Sequence, residues 1–201
     1  GDLSTVRRHL EIMTQAMQGG RKLPVEEKPQ QAFQVSLINA DMDLAALTRQ
    51  IKKLGKLNFS LCLYGASGTG KSAYARYLAE ELGLEVQQVR ASQLISPYVG
   101  GTEENIAAAF SHARQEKSFL VFDEADSFLQ DRSRARHSWE ITAVNEMLTW
   151  MENHPYPFVC TTNLMEMLDP ACLRRFTFKV KYGFLTPVQA AEAFRYFYKL
   201  K

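Results

Sequence analysis

The run Gly65-Ala66-Ser67-Gly68-Thr69-Gly70-Lys71-Ser72 restricts the possible folds more than any other part of the chain. It satisfies the pattern G-x-x-x-x-G-K-[ST], in which successive backbone N–H groups turn toward one anion and the start of a helix adds its partial positive charge. Such a loop needs a strand directly before it and a helix directly after it. Both are written in the sequence: Leu61-Cys62-Leu63-Tyr64 is an apolar run, and residues 72–82 read as a helix. Lys71 is placed to reach the outer phosphates of a nucleotide, and the Ser72 hydroxyl to bind Mg²⁺. Gly65, Ala66, Ser67, Gly68, Thr69, Gly70 and Ala73 complete the cradle.

The surrounding sequence alternates in the same way. Short apolar strands are expected at residues 60–64, 84–89, 118–122, 157–161 and 176–181, with helices at 72–82, 103–115 and 139–152 between them. The last helix sets Ile141, Val144, Leu148 and Met151 on one face. Upstream, a helix is expected to start near Asp41 as its N-cap, with Leu44, Leu47, Ile51 and Leu54 on its apolar side. Residues 3–17 carry Leu3, Val6, Leu10, Met13 and Met17 at helical spacing, and residues 21–31, with Pro24 and Pro29, read as a linker. Strands alternating with helices imply an α/β fold: a parallel sheet covered on both faces.

The strand Phe119-Leu120-Val121-Phe122 ends in two acids, Asp123 and Glu124. Four large apolar residues followed by two carboxylates at the sheet rim make sense where a cation or a reacting group meets them. Asp123 is suited to hold the Mg²⁺ shell, and Glu124 to orient and deprotonate an attacking water.

Composition excludes some partners. The 24 basic and 22 acidic residues leave a net charge of +2, which gives no electrostatic case for nucleic acid or an anionic membrane. No apolar run is long enough to cross a bilayer, and the first residues lack a signal-peptide pattern. Cys62 and Cys160 fall inside apolar strand patterns, Cys172 stands apart, and none has metal-ligand spacing. A reducing, cytoplasmic setting is the expectation.

From about residue 35 to 186 the chain resembles the AAA clade of AAA+ ATPases, the unfoldases and disassembly machines. The phosphate loop and the acidic strand end correspond to Walker A and Walker B. Phe158-Val159-Cys160-Thr161-Thr162-Asn163 is similar to the strand ending in the sensor-1 asparagine. Leu168-Asp169-Pro170-Ala171-Cys172-Leu173-Arg174-Arg175 resembles the segment that supplies arginine fingers to a neighbouring subunit. Ser96-Pro97-Tyr98-Val99-Gly100-Gly101-Thr102 looks like a first pore loop, with Tyr98 and Val99 gripping polypeptide. Thr102, Glu103 and Glu104 then open the following helix with a cap and favourable charge.

The resemblance implies a P-loop NTPase fold: a parallel five-stranded sheet, order 5-1-4-3-2 in chain numbering, sandwiched by helices. It divides the chain into an N-terminal helix and linker (1–34), an AAA+ nucleotide-binding α/β core (35–185) and the start of a truncated helical lid (186–201). It implies Mg²⁺-dependent ATP hydrolysis by Lys71, Glu124 and Asn163 in one subunit and Arg174 and Arg175 of the next. The full-length protein would form a homo-oligomeric ring, a hexamer, drawing a protein substrate through its central pore; this chain alone would be monomeric. Two other readings stay open: a nucleic-acid-associated AAA+ factor of clamp-loader or initiator type, and an ATP-dependent regulatory switch. Near-neutral charge and Tyr98 count against the first, and intact Lys71 and Glu124 against the second.

Three features depart from the family pattern. Arg90 ends the second strand where relatives hold a small polar residue, so a positive charge would stand near Glu124. Ile141 and Thr142 occupy positions where relatives carry arginines contacting the next subunit. After Arg175 only 26 residues remain, which suggests a chain cut short at the first helix of the lid.

Overall fold

The computed structural model describes residues 33–135 and 137–198. By its contacts the chain divides into Gly1–Ala32 and Phe33–Lys201, and every described residue belongs to the second unit. The helix expected at 3–17 and its linker lie outside the described residues.

Six strands form one sheet: β1 (Asn39–Ala40), β2 (Ser60–Gly65), β3 (Val86–Arg90), β4 (Phe119–Asp123), β5 (Phe158–Thr162) and β6 (Phe178–Gly183). The order is β1-β6-β2-β5-β4-β3. The five expected strands are present in the expected order and run parallel. The addition is β1, which pairs antiparallel with β6 at the edge. This changes the reading of Asp41. It prolongs the β1–β6 pairing, donating its N–H to the Lys181 carbonyl and accepting the Lys181 N–H on Oδ1. The N-cap of helix α1 (Leu44–Leu54) is Asp43, whose Oδ1 accepts the Ala46 N–H.

The central strands are buried almost throughout, and the edge strand β3 alternates between half-buried and exposed positions. Residue parity sends side chains to two cores, one on each face. Leu61, Leu63, Phe119, Val121 and Val159 meet α1 and helix α2 (Lys71–Glu81) through Leu44, Ile51, Tyr74 and Leu78. Cys62, Leu120, Phe122 and Cys160 meet helices α4 (Gly101–Glu116) and α5 (Ser138–Asn153) through Ile106, Phe110, Val144 and Met147. Cys62, Cys160 and Cys172 are all free and buried, and burial pushes each thiol up, Cys62 and Cys172 to about 12.

A short helix α3 (Ala91–Leu94) follows β3, and helix α6 (Pro170–Arg175) precedes β6. Strand β6 begins two residues later than expected because Phe176 ends α6 and Thr177 bonds Ser60 through its Oγ1 and backbone N–H. Helix α7 (Pro187–Tyr198) closes the described chain. Among the described residues, no helix is long and apolar enough to cross a membrane.

Candidate active site

Parallel strands place their carboxyl ends on one rim of the sheet, and ligands bind at that rim where neighbouring loops diverge. Strand β5 lies between β2 and β4, so Asn163, the phosphate loop and the Asp123-Glu124 pair meet there. They line one cleft of about 640 Å³, which also receives Arg90, Ser92, Thr161 and Thr162.

The loop shape depends on glycine. At the end of β2, Gly65 has φ 134°, and a Cβ there would stand 2.1 Å from the Tyr182 carbonyl oxygen, so the close approach to β6 admits no side chain. Gly70 caps α2 in a left-handed conformation and no side chain occupies the helix N-terminus. The first N–H groups of an 11-residue helix therefore stand at the cleft with no side-chain cap hydrogen bond among the described residues.

Lys71 lies across this loop. Its Nζ donates to the carbonyls of Gly65 (2.7 Å) and Ala66 (2.8 Å) and to Asn163 Oδ1 (2.8 Å). Burial lowers its pKa, an effect partly countered by the carboxylates of Asp123 and Asp126. The ammonium and the sensor-position amide thus share one hydrogen bond across the strand boundary.

Asp123 collects three donors. Ser72 Oγ gives a hydrogen bond to Oδ1 at 2.8 Å, Thr161 Oγ1 to the same oxygen at 2.7 Å, and Gln88 Nε2 to Oδ2. Glu124 then leaves the strand in the left-handed region at φ 60°, ψ 45°, a backbone that costs a residue with a Cβ about 1–2 kcal/mol. Its side chain is exposed at the cleft, and Arg90 is exposed on the neighbouring β3 in register with Asp123.

Ser72 and Asp123 fit a magnesium ion: a hydroxyl and a carboxylate, both hard oxygen donors, converge on one point. Among the described residues, no group of three or more His, Cys, Asp or Glu could hold a metal by itself.

The remaining expected residues lie apart from this cleft. Tyr98 and Val99, 80% and 94% exposed, stand on a braced turn. Ser96 Oγ accepts the Tyr98 N–H, the Tyr98 carbonyl accepts the Gly101 N–H, and Gly100 adopts φ 84°. Thr102 is not the helix cap: Gly100 holds that position, and the Thr102 hydroxyl accepts the Ser96 N–H. The two arginines of α6 differ. Arg175 pairs with Glu152 and donates to the Ala171 carbonyl, whereas Arg174 is exposed and makes no ion pair among the described residues. Asp169 caps α6 through the Ala171 N–H and accepts Arg132 Nε at 2.8 Å; these bonds hold its carboxyl below the usual range, against the opposing effect of burial.

Sequence reading passed over Thr161, Gln88 and Asp126. Thr162 donates to Asp126 Oδ1 at 2.6 Å, which ties the end of β5 to the turn after Glu124. The available signal was the pair Thr161-Thr162 immediately before Asn163, two hydroxyls at the end of a strand otherwise apolar.

Comparison with known proteins agrees with this architecture. A family model described as "ATPase family associated with various cellular activities (AAA)" matches residues 61–184, more than half of the chain. An uncharacterized AAA family ATPase, y4kL, of Sinorhizobium fredii is 36% identical over 60% of this chain and 38% of its own length. Peroxisomal ATPase pex6 of Schizosaccharomyces pombe is 35% identical over 56% of this chain and 13% of its own. Spastin of Drosophila grimshawi is 35% identical over 66% and 18%. The chain therefore spans well under half the length of these relatives. With a glycine-rich phosphate loop, an acidic strand end and the asparagine strand between them, all inside the matched segment, the chain belongs to the AAA family of ATPases.

Proposed function

We propose that this domain hydrolyses ATP to ADP and phosphate with Mg²⁺, as the motor of a ring-forming machine that does mechanical work on a protein substrate. The observation that carries the proposal is the convergence of Lys71, Ser72, Asp123, Glu124 and Asn163 on one cleft. In this reading the α2 N-terminus and Lys71 bind the phosphates. Ser72 and Asp123 would hold the Mg²⁺ ion, which when bound would supply charge neutralisation at the phosphate oxygens. Glu124, at the exposed turn after β4, takes a proton from the attacking water, while Asn163 exchanges its bond to Lys71 for one to that water or to the terminal phosphate. Arg174, exposed on α6, serves a neighbouring subunit's site. Arg175 would first have to leave Glu152, an exposed pair of small energy.

Work on protein is supported by Tyr98 and Val99, two large apolar side chains presented to solvent by a turn whose own hydrogen bonds hold it in place. Replacing Lys71 with Ala should abolish nucleotide binding. Glu124→Gln should keep binding while phosphate release falls by about 10² or more, the scale of a lost general base. A Glu124→Gln protein with ordinary turnover would remove the general-base assignment.

A further inference from the structure

The last rung between β4 and β5 pairs Phe122 with Cys160, and the register carries no further pair. At that point a side chain replaces the backbone ladder. Thr161 is 3% exposed, and its hydroxyl meets two partners at the end of β4 and the turn after it: it donates to Asp123 Oδ1 at 2.7 Å and accepts the Glu124 N–H at 3.3 Å. A hydroxyl has one proton and two lone pairs, so both bonds can exist together. One buried oxygen therefore touches the carboxylate placed at the metal position and the backbone of the next acid, where φ is 60°.

We propose that Thr161 is a positioning residue for hydrolysis, setting the rotation of the Asp123 carboxylate and the left-handed turn of Glu124 through a single hydroxyl. This rests on the hydrolytic reading of the cleft. Asp123 Oδ1 is shared between Ser72 and Thr161 while Oδ2 faces Gln88, so the carboxylate is held at both ends. Removing the Thr161 donor leaves Oδ1 with Ser72 as its one remaining donor, so the carboxylate loses one of the three bonds that fix its rotation about the bond to Cβ. The same removal leaves the Glu124 N–H without its acceptor and the left-handed backbone without the bond that selects it.

The test compares Thr161→Val, which keeps the shape and loses the hydroxyl, with Thr161→Ser, which keeps the hydroxyl. Four quantities are read: melting temperature, binding of a fluorescent ATP analogue in EDTA, the Mg²⁺ concentration at half-maximal effect on that binding, and kcat with KM. Thr161→Val should bind nucleotide in EDTA as the wild type does. It should need about tenfold more Mg²⁺ and lose about 10–100-fold in kcat, the usual effect of removing a group that orients a metal ligand. KM for ATP should stay within about twofold, because the phosphate loop is untouched. Thr161→Ser should restore Mg²⁺ dependence and kcat. In a crystal structure of Thr161→Val, Glu124 should leave the left-handed region. Unchanged Mg²⁺ dependence and kcat in Thr161→Val, or a loss that tracks melting temperature and is not restored by Ser, would overturn the proposal. A wild-type protein that bound Mg²⁺ with nucleotide and released no phosphate would instead overturn the hydrolytic reading. The shift in Mg²⁺ dependence and the Glu124 backbone would still decide the role of Thr161.

Discussion

His154 gives the domain an acid limit that can be worked out from its surroundings. It ends α5 at 2% exposure, with its ring among Phe110, Tyr156 and Phe158 and neither ring nitrogen hydrogen-bonded among the described residues. Burial, assisted by the nearby Arg114 charge, pushes its pKa down from 6.5 to about 4. The folded pKa lies below the unfolded one, so the unfolded chain binds the proton more readily. The stability associated with neutral His154 is complete above the unfolded value and is lost as pH falls through 6.5 toward 4. At about 1.4 kcal/mol per pH unit across that window, the loss reaches about 2 kcal/mol at pH 5 and about 3 kcal/mol in full. The perturbation is His154→Leu, which fills a similar volume without a titrating group. Urea unfolding of both proteins at pH 7.5 and pH 5 yields the double difference, in which the contributions of other titrating groups cancel. The wild type should lose about 2 kcal/mol more than the variant over that interval. Parallel profiles would show that the imidazole is hydrated or partnered in solution, and would refute the reasoning.

Other expectations follow from single side chains. Tyr98→Ala should leave the melting temperature nearly unchanged, within about 0.5 kcal/mol for an exposed site, and ATP hydrolysis near wild type, while remodelling of a protein substrate by the full-length protein collapses. Joint loss of stability and hydrolysis would assign Tyr98 to the domain's own packing. Phe110, fully buried against Phe122, Trp150, His154 and Phe158, should cost about 3–5 kcal/mol on truncation to Ala, measured by denaturant unfolding. Arg174→Ala should lower hydrolysis by about 10³ in assembled protein, the scale of an arginine finger. Mixing in Glu124→Gln subunits, which still carry Arg174, should restore activity; no recovery would argue against a role across the interface.

Legibility in the sequence followed chemical distinctiveness. The phosphate loop, the acidic strand end and Asn163 were readable because few other tasks need those residue types in that order. The three central parallel strands, β2, β4 and β5, were readable because buried strands are continuous apolar runs, whereas β3 and β6 alternate and were placed by the strand–helix rhythm around them. Strand β1 was not, since two residues have no period and their pairing depends on β6, some 140 residues away. Asp41 illustrates the same limit: its local context suited a helix cap, and a distant strand claimed it. Thr161 and Gln88 are ordinary strand residues whose task arises from hydrogen bonds to Asp123 across neighbouring strands, which no local pattern encodes. Arg174 and Arg175 were equivalent by motif and differ because Glu152 and the Ala171 carbonyl hold one of them.

The polarity of the parallel sheet also determines where this domain tolerates a change in length. At the carboxyl ends, Gly65, Asp123 and Asn163 are set against one another through adjacent strands. One residue added to β5 would move Asn163 by about 3.3 Å and turn its side chain to the opposite face. The other rim carries no such constraint. The exposed segment Gly55, Lys56 and Asn58, between α1 and β2, leads into the amino end of the sheet, away from every residue of the cleft. A reporter peptide or an affinity tag spliced in there would lengthen a connection without disturbing the spacing on which the chemistry depends. The same peptide placed after Thr162 would dismantle it.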